Sequence, residues 1–182
     1  TLDKIQKNAE IMTMIEAFGL SIDHKTMKLT YDPSDLRYDK IIIAADADVD
    51  GSHIRNLFFT FIWNFCPQLI TDGHIYTLVA PLYRVVMGKD KVVYIRNDEE
   101  LAEFTATNKG KKYQVQRFKG LGEMSAEETE ESLVHPDSRT IKQVTVEDIK
   151  ATDALFETLM GSAATPRKKF IQEHAKEATY NV

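Results

Sequence analysis

The chain has 182 residues, 43% of them hydrophobic and 28% charged, which suits one domain, or one with a small appendage, and is enough to bury a core. The formal net charge of −5 offers no global attraction for a polyanion, although the distribution of charge decides more than its sum. No apolar run approaches the ~18 residues of a membrane span, nothing resembles a signal peptide, and the lone Cys66 excludes an internal disulfide and a cysteine zinc cluster, as suits a reducing cytoplasm.

In chain order, Leu2, Ile5, Ala9, Met12, Ile15 and Phe18 recur at intervals of three and four. They predict one amphipathic helix stopped by Gly19. A polar stretch through Asp32-Pro33-Ser34 leads to a short buried strand, Lys40 to Ala45. Ile54 to Phe65 reads as a helix apolar nearly all round, hence buried. Cys66 then reads as a core residue, and Asp72-Gly73 turns the chain into a second apolar strand, Ile75 to Ala80.

Beyond Pro81 the composition shifts, which is the best domain boundary. Leu82 to Met87 and Lys91 to Ile95 predict two strands, with Gly88-Lys89-Asp90 as a hairpin turn. A helix starts at Asp98, and Lys112 to Phe118 alternates as a strand before Lys119-Gly120-Leu121-Gly122-Glu123. Ser125 to Glu128 has the pattern of a capping box, and Thr145 to Asp148 predicts another helix start, running to Met160. Thr140 to Val144 predicts a short strand, and Thr165-Pro166 opens the last helix with Pro in its first position.

The run from Ile41 to His53 carries the chemistry. A buried strand ends in Asp46, Asp48 and Asp50 at alternate positions, followed by Gly51. Three carboxylates this close raise one another's pKa, and a hard divalent cation relieves the repulsion. A calcium-binding EF-hand loop fails, because position twelve is Leu57 rather than Glu and a β-branched run replaces the entering helix. A phosphatase of the haloacid dehalogenase type fits Asp48-x-Asp50, yet no Gly-Asp dipeptide supplies its later acidic pair. A plain structural turn, with Asp50 capping the following helix, explains one aspartate better than three. The favoured reading is a Mg²⁺ site for phosphoryl transfer beyond the carboxyl end of a parallel strand.

The acidic motif, the HIRNLFFTFIWNF helix, the DGHIYTLVAPLYRV strands and QRFKGLGEM together resemble the B-type subunit of bacterial type IIA topoisomerases. The resemblance implies an α/β class: a Toprim-type parallel sheet flanked by helices over residues 1–81, then an α+β tail over 82–182. It implies that Asp46 and Asp48 bind catalytic Mg²⁺, with Mn²⁺ or Ca²⁺ as substitutes, and that Asp50 supports them. It also implies double-stranded DNA as substrate, contacted by His53, Lys119 and Arg167, with Glu123 ordering the Gly120–Gly122 turn. The resemblance further implies that the attacking tyrosine belongs to an A subunit in an A2B2 heterotetramer, that ATP acts through a separate N-terminal domain, and that the protein is cytoplasmic and nucleoid-associated, with no membrane.

The chain departs from that pattern in one respect. It has no Glu-Gly dipeptide, so the glutamate of the family's Glu-Gly-Asp-Ser-type motif is expected upstream of Thr1. The chain is therefore expected to be part of the Toprim domain plus the tail, binding metal weakly and not cleaving DNA alone. An alternative is a metal-independent module that binds DNA and the A subunit.

Overall fold

The computed structural model describes residues 2–46, 48–88 and 91–177. The chain divides into two compact units, Thr1–Val144 and Thr145–Val182. Where one opening helix was predicted there are two, α1 (Leu2–Ile5) and α2 (Ala9–Phe18). The break follows from Asn8, whose side-chain oxygen accepts the Ile11 N–H at 2.9 Å and restarts the helix as its N-cap. Gly19 ends α2 in the left-handed region, at φ 80°.

The polar stretch after it hides an antiparallel hairpin, β1 (Ser21–Asp23) and β2 (Lys28–Thr30). The Asp23 carboxylate closes its turn by accepting the Lys25 N–H and the Thr26 hydroxyl, both at 2.8 Å. The Thr26 hydroxyl first, then the Lys25 amide, holds the Asp23 carboxyl below its usual range.

β3 (Ile41–Ile43) then leads through α3 (Val49–Phe65) and the single turn α4 (Gln68–Thr71) to β4 (Ile75–Leu78). β3 and β4 pair in parallel, Ile41 opposite Ile75. Ile62, Trp63, Leu69, Ile70 and Ile75 are buried here. Cys66 is also fully buried, and burial pushes its thiol up to about 11.

Two expectations for α3 need correction. It starts five residues before Ile54, because Asp48 caps it. It is also not buried all round, since Val49, Ile54 and Leu57 are 83%, 62% and 48% exposed. Only its carboxyl-terminal turns reach the core, through Ile62 and Trp63; the amino-terminal half stands beside the acidic motif.

Next come β5 (Tyr83–Met87), β6 (Lys91–Ile95), α5 (Asp98–Thr107) and β7 (Gln114–Arg117). They form an antiparallel sheet in the order β6-β5-β7. Lys89 and Asp90 of the expected hairpin turn lie outside the described residues. Tyr83, Val85 and Ile95 form this sheet's core, with Leu101 and Phe104 of α5 packed on it.

The capping box forms as read. Ser125 and Glu128 exchange both hydrogen bonds at the start of α6 (Ala126–Thr129), which runs into a π-helical turn, Glu130–Val134. Glu128 Oε1 also lies 2.8 Å from Arg84 Nε of β5. β8 (Ile141–Gln143) then returns to the first sheet and pairs antiparallel with β4, giving the order β3-β4-β8. The sheet is thus a parallel pair extended by one antiparallel strand.

The second unit holds α7 (Ile149–Met160) and α8 (Ala164–Glu173). Asp148, rather than Thr145, is the N-cap of α7, its carboxylate accepting the Ala151 N–H at 3.0 Å. α8 begins at Ala164, which places Pro166 third rather than first in the helix. That position is tolerated because Pro lacks only an N–H that the first turn leaves unpaired. Among the described residues no helix is long and apolar enough to cross a membrane.

Candidate functional site

The acidic motif sits beyond the carboxyl end of β3, where ligands bind in open α/β sheets. Asp46 is half-buried. Its Oδ1 accepts the backbone N–H of Leu121 at 2.8 Å, across 75 residues of sequence. Gly120 lies so close that a Cβ there would stand 3.1 Å from Asp46 Oδ2 and 3.3 Å from Cγ and Oδ1. The lysine-glycine turn and the first aspartate therefore form one site. Sequence reasoning had paired the two motifs through the family resemblance but had not identified this contact. The signal for it was the glycine before Leu121, which lets a backbone amide reach a carboxylate.

Gly51 has a different reason to be glycine. A Cβ there would collide with the Asp46 backbone, lying 2.9 Å from both its nitrogen and its carbonyl carbon and closer still to its oxygen. The first turn of α3 thus lies directly against Asp46. Ala47, between the first two aspartates, lies outside the described residues.

Asp48 is exposed and caps α3, its Oδ1 accepting the Gly51 N–H at 2.8 Å. The cap assigned to Asp50 by the structural-turn reading belongs to Asp48. Asp50 instead lies in the first turn of the helix, exposed, where a carboxylate favours the helix dipole. His53 follows on the same helix with its side chain exposed.

Lys119 is exposed at the entrance to the glycine turn. Its backbone N–H donates to Glu123 Oε2 at 2.9 Å, so Glu123 orders the Gly120–Gly122 turn from within. Arg167 lies in the second unit, where its Nη2 donates to the Gly161 carbonyl at 2.6 Å and ties the start of α8 to the end of α7. Leu121 and Gly120 are the site residues that sequence reasoning missed.

The donor set decides which metal could be held. Asp46 and Asp48 each spend one oxygen on a backbone amide and keep the other. Among the described residues no group of three or more His, Cys, Asp or Glu side chains is placed to hold an ion. Two hard carboxylates fit Mg²⁺, which keeps several waters and takes one or two carboxylates with the phosphates of its substrate.

Comparison with known proteins places the chain among relatives by sequence. Residues 3–81 match the family profile described as "Toprim domain", and residues 110–172 match "DNA gyrase B subunit, carboxyl terminus". The chain is 46% identical over 181 residues to the DNA gyrase B subunit of Thermus thermophilus, covering 100% of this chain and 28% of that protein. It is 42% identical over 175 residues to the gyrase B subunit of Thermotoga maritima and 43% over 176 residues to that of Clostridium acetobutylicum, covering 96% of this chain and 27% of each relative. The chain therefore spans little more than a quarter of the curated relatives it matches. With a Toprim domain and a gyrase B carboxyl-terminal region in succession, it belongs to the family of bacterial type IIA topoisomerase B subunits.

Proposed function

We propose that this chain is the Mg²⁺-binding DNA cleavage and religation portion of an ATP-dependent type II topoisomerase, working with the tyrosine of an A subunit in an A2B2 assembly. The observation that carries the proposal is the hydrogen bond from the Leu121 N–H to Asp46, because it joins the acidic motif to the lysine-glycine turn at one point. A cation bound here would neutralise charge on a phosphodiester. Asp46 and Asp48 would hold it through their remaining oxygens, and Asp50, in the first turn of α3, would reach it through water. The Leu121 amide and the α3 cap fix the two carboxylates before substrate arrives. Preorganised charge of this kind needs no rearrangement at the moment of reaction.

His53 follows the carboxylates on α3, and Lys119 precedes the turn whose Leu121 amide holds Asp46; both are exposed, as phosphate contacts must be. Arg167 would contribute a DNA contact through the guanidinium N–H groups not spent on Gly161. The proposed division is a Toprim module to Pro81 and a tail module beyond it. It keeps the nucleoid as the site of action.

The test puts this chain into a full-length gyrase-type B subunit in place of the matching region and combines that subunit with a type IIA A subunit and supercoiled DNA. Mg²⁺-dependent cleavage that Asp46→Ala abolishes, and absence of cleavage by the chain alone, is the expected result. Cleavage by the chain without the A subunit, or survival of cleavage in Asp46→Ala, overturns it. One observation favours a second reading as a metal-independent binding module: Asp48 already has a structural task as helix cap. Association with the A subunit that is unchanged by chelator, together with no measurable Mn²⁺ binding, supports that reading.

A further inference from the structure

A concentration of positive charge lies where α5 gives way to β7. Lys109, Lys111 and Lys112 are exposed and line an open cleft of about 760 Å³. Among the described residues no carboxylate lines it, and none of the three lysines forms an ion pair. In a chain of net charge −5, that is not the mixed surface of a merely solvated face.

Lys111 is oriented, donating its ammonium to Asn108 Oδ1 at 2.9 Å. Gly110 and Gly88, both in the lining, have φ of 83° and 67°, with nothing within 4 Å of where a Cβ would stand. The cleft is therefore open at both glycines to close approach by another backbone. The ordinary use of such lysines is to complement a helix carboxyl terminus, but that effect fades within the last turn. α5 ends at Thr107, and Lys112 lies five residues past it.

The ligand chemistry follows from what lines the cleft. Exposed ammonium groups on flexible stems contact phosphates as point charges. An unpaired base would need an aromatic face. Tyr113, the aromatic residue among the described lining, packs edge-on against Phe104 at 5.4 Å between centroids, beside the core. Repeating phosphates of a duplex fit better than a single strand.

β7 then connects the cleft directly to the Asp46 site. It leads from Gln114 to Arg117 and on through Phe118 to Lys119 and the turn whose amide holds Asp46. Fully extended, the segment from Lys112 to Lys119 spans at most ~23 Å, or about seven base pairs of duplex.

We infer that this lysine cleft is an auxiliary contact for the backbone of the same duplex held at Asp46, up to about seven base pairs along it. The inference rests on the reading of Asp46 as a DNA site. The test measures binding of the full chain to a fluorescein-labelled duplex of about 20 base pairs by anisotropy over a salt series. The variants are Lys109, Lys111 and Lys112 all changed to Gln, and all three changed to Arg.

The Gln triple is expected to bind roughly tenfold more weakly near 100 mM salt. Its log–log salt slope should be shallower by about two to three, at ~0.9 per lost phosphate contact. The Arg triple should match the parent in both, and unchanged melting by circular dichroism excludes misfolding. A Gln triple with the parental affinity and slope overturns the inference and leaves the Asp46 reading intact. A parent chain that binds no duplex at low salt overturns both.

Discussion

Changing Gly120 to Ala tests the contact on which the site rests. Gly120 has extended backbone, at φ −161°, so an added Cβ brings no backbone strain. Any effect must come from the carboxylate of Asp46, 3.1 to 3.3 Å from that Cβ. The carboxylate has to give by a few tenths of an ångström, which lengthens the 2.8 Å bond from the Leu121 amide. A hydrogen bond to a charged group contributes about 1.5–3 kcal/mol, and the half-exposed position of Asp46 reduces that to roughly 1–2 kcal/mol.

For a chain of this size such a loss lowers the melting temperature by about 2–8 °C. Losing a bond that orients a metal-ligating carboxylate weakens metal binding by about tenfold or more. The assay is thermal melting by circular dichroism together with Mn²⁺ titration by calorimetry. Gly122→Ala is the control, because nothing lies within 4 Å of its added Cβ. If Gly120→Ala melts and binds Mn²⁺ as Gly122→Ala does, the turn does not position Asp46 and the reasoning fails.

Further variants separate packing from chemistry. Gly51→Ala meets the Asp46 backbone, which cannot swing aside, so urea denaturation should show a loss of roughly 2 kcal/mol or more. Asp48→Ala should cost about 1 kcal/mol through the lost cap, whereas Asp48→Asn keeps the cap and the stability. Both should weaken Mn²⁺ binding, and a normal affinity in Asp48→Asn removes that residue from the metal site.

Cys66 should resist dithionitrobenzoate at pH 8 until urea is added, since its thiol is buried and its pKa lies near 11. In the unfolded chain it titrates at its ordinary value near 9. Stability present below pH 9 is therefore lost as pH rises towards 11, on the order of 1–2 kcal/mol. Cys66→Ala should flatten that part of the pH profile, and an equally steep profile in the variant refutes the assignment.

What the sequence disclosed depended on how local each cause was. The strand before Asp46, the hairpin strands around Gly88 and the Ser125–Glu128 capping box are set by neighbours a few residues away, and they were legible. Asn8 overrode a well-formed helical period because one side chain can restart a helix more cheaply than periodicity alone resists it. β1 and β2 were missed because three residues carry too little alternation to register. The exposure of Ile54 and Leu57 was misread because composition does not say which turns of a helix reach a core. The Asp46–Leu121 bond spans 75 residues, and only the folded chain brings its ends together.

β8 has a consequence for how this chain comes into being. Tyr76 of β4 pairs with Gln143, about 65 residues later in sequence, and closing a loop that long is slow. At ~5–20 residues per second on the ribosome, β4 waits roughly three to thirteen seconds for its second neighbour. Throughout that interval Ile75 to Leu78 presents an unpaired apolar edge, the kind of template on which nascent chains pair with one another. A version ending at Pro81 would never cover that edge. Such a truncation is predicted to aggregate during synthesis, whereas one ending after Val144 should remain dispersed.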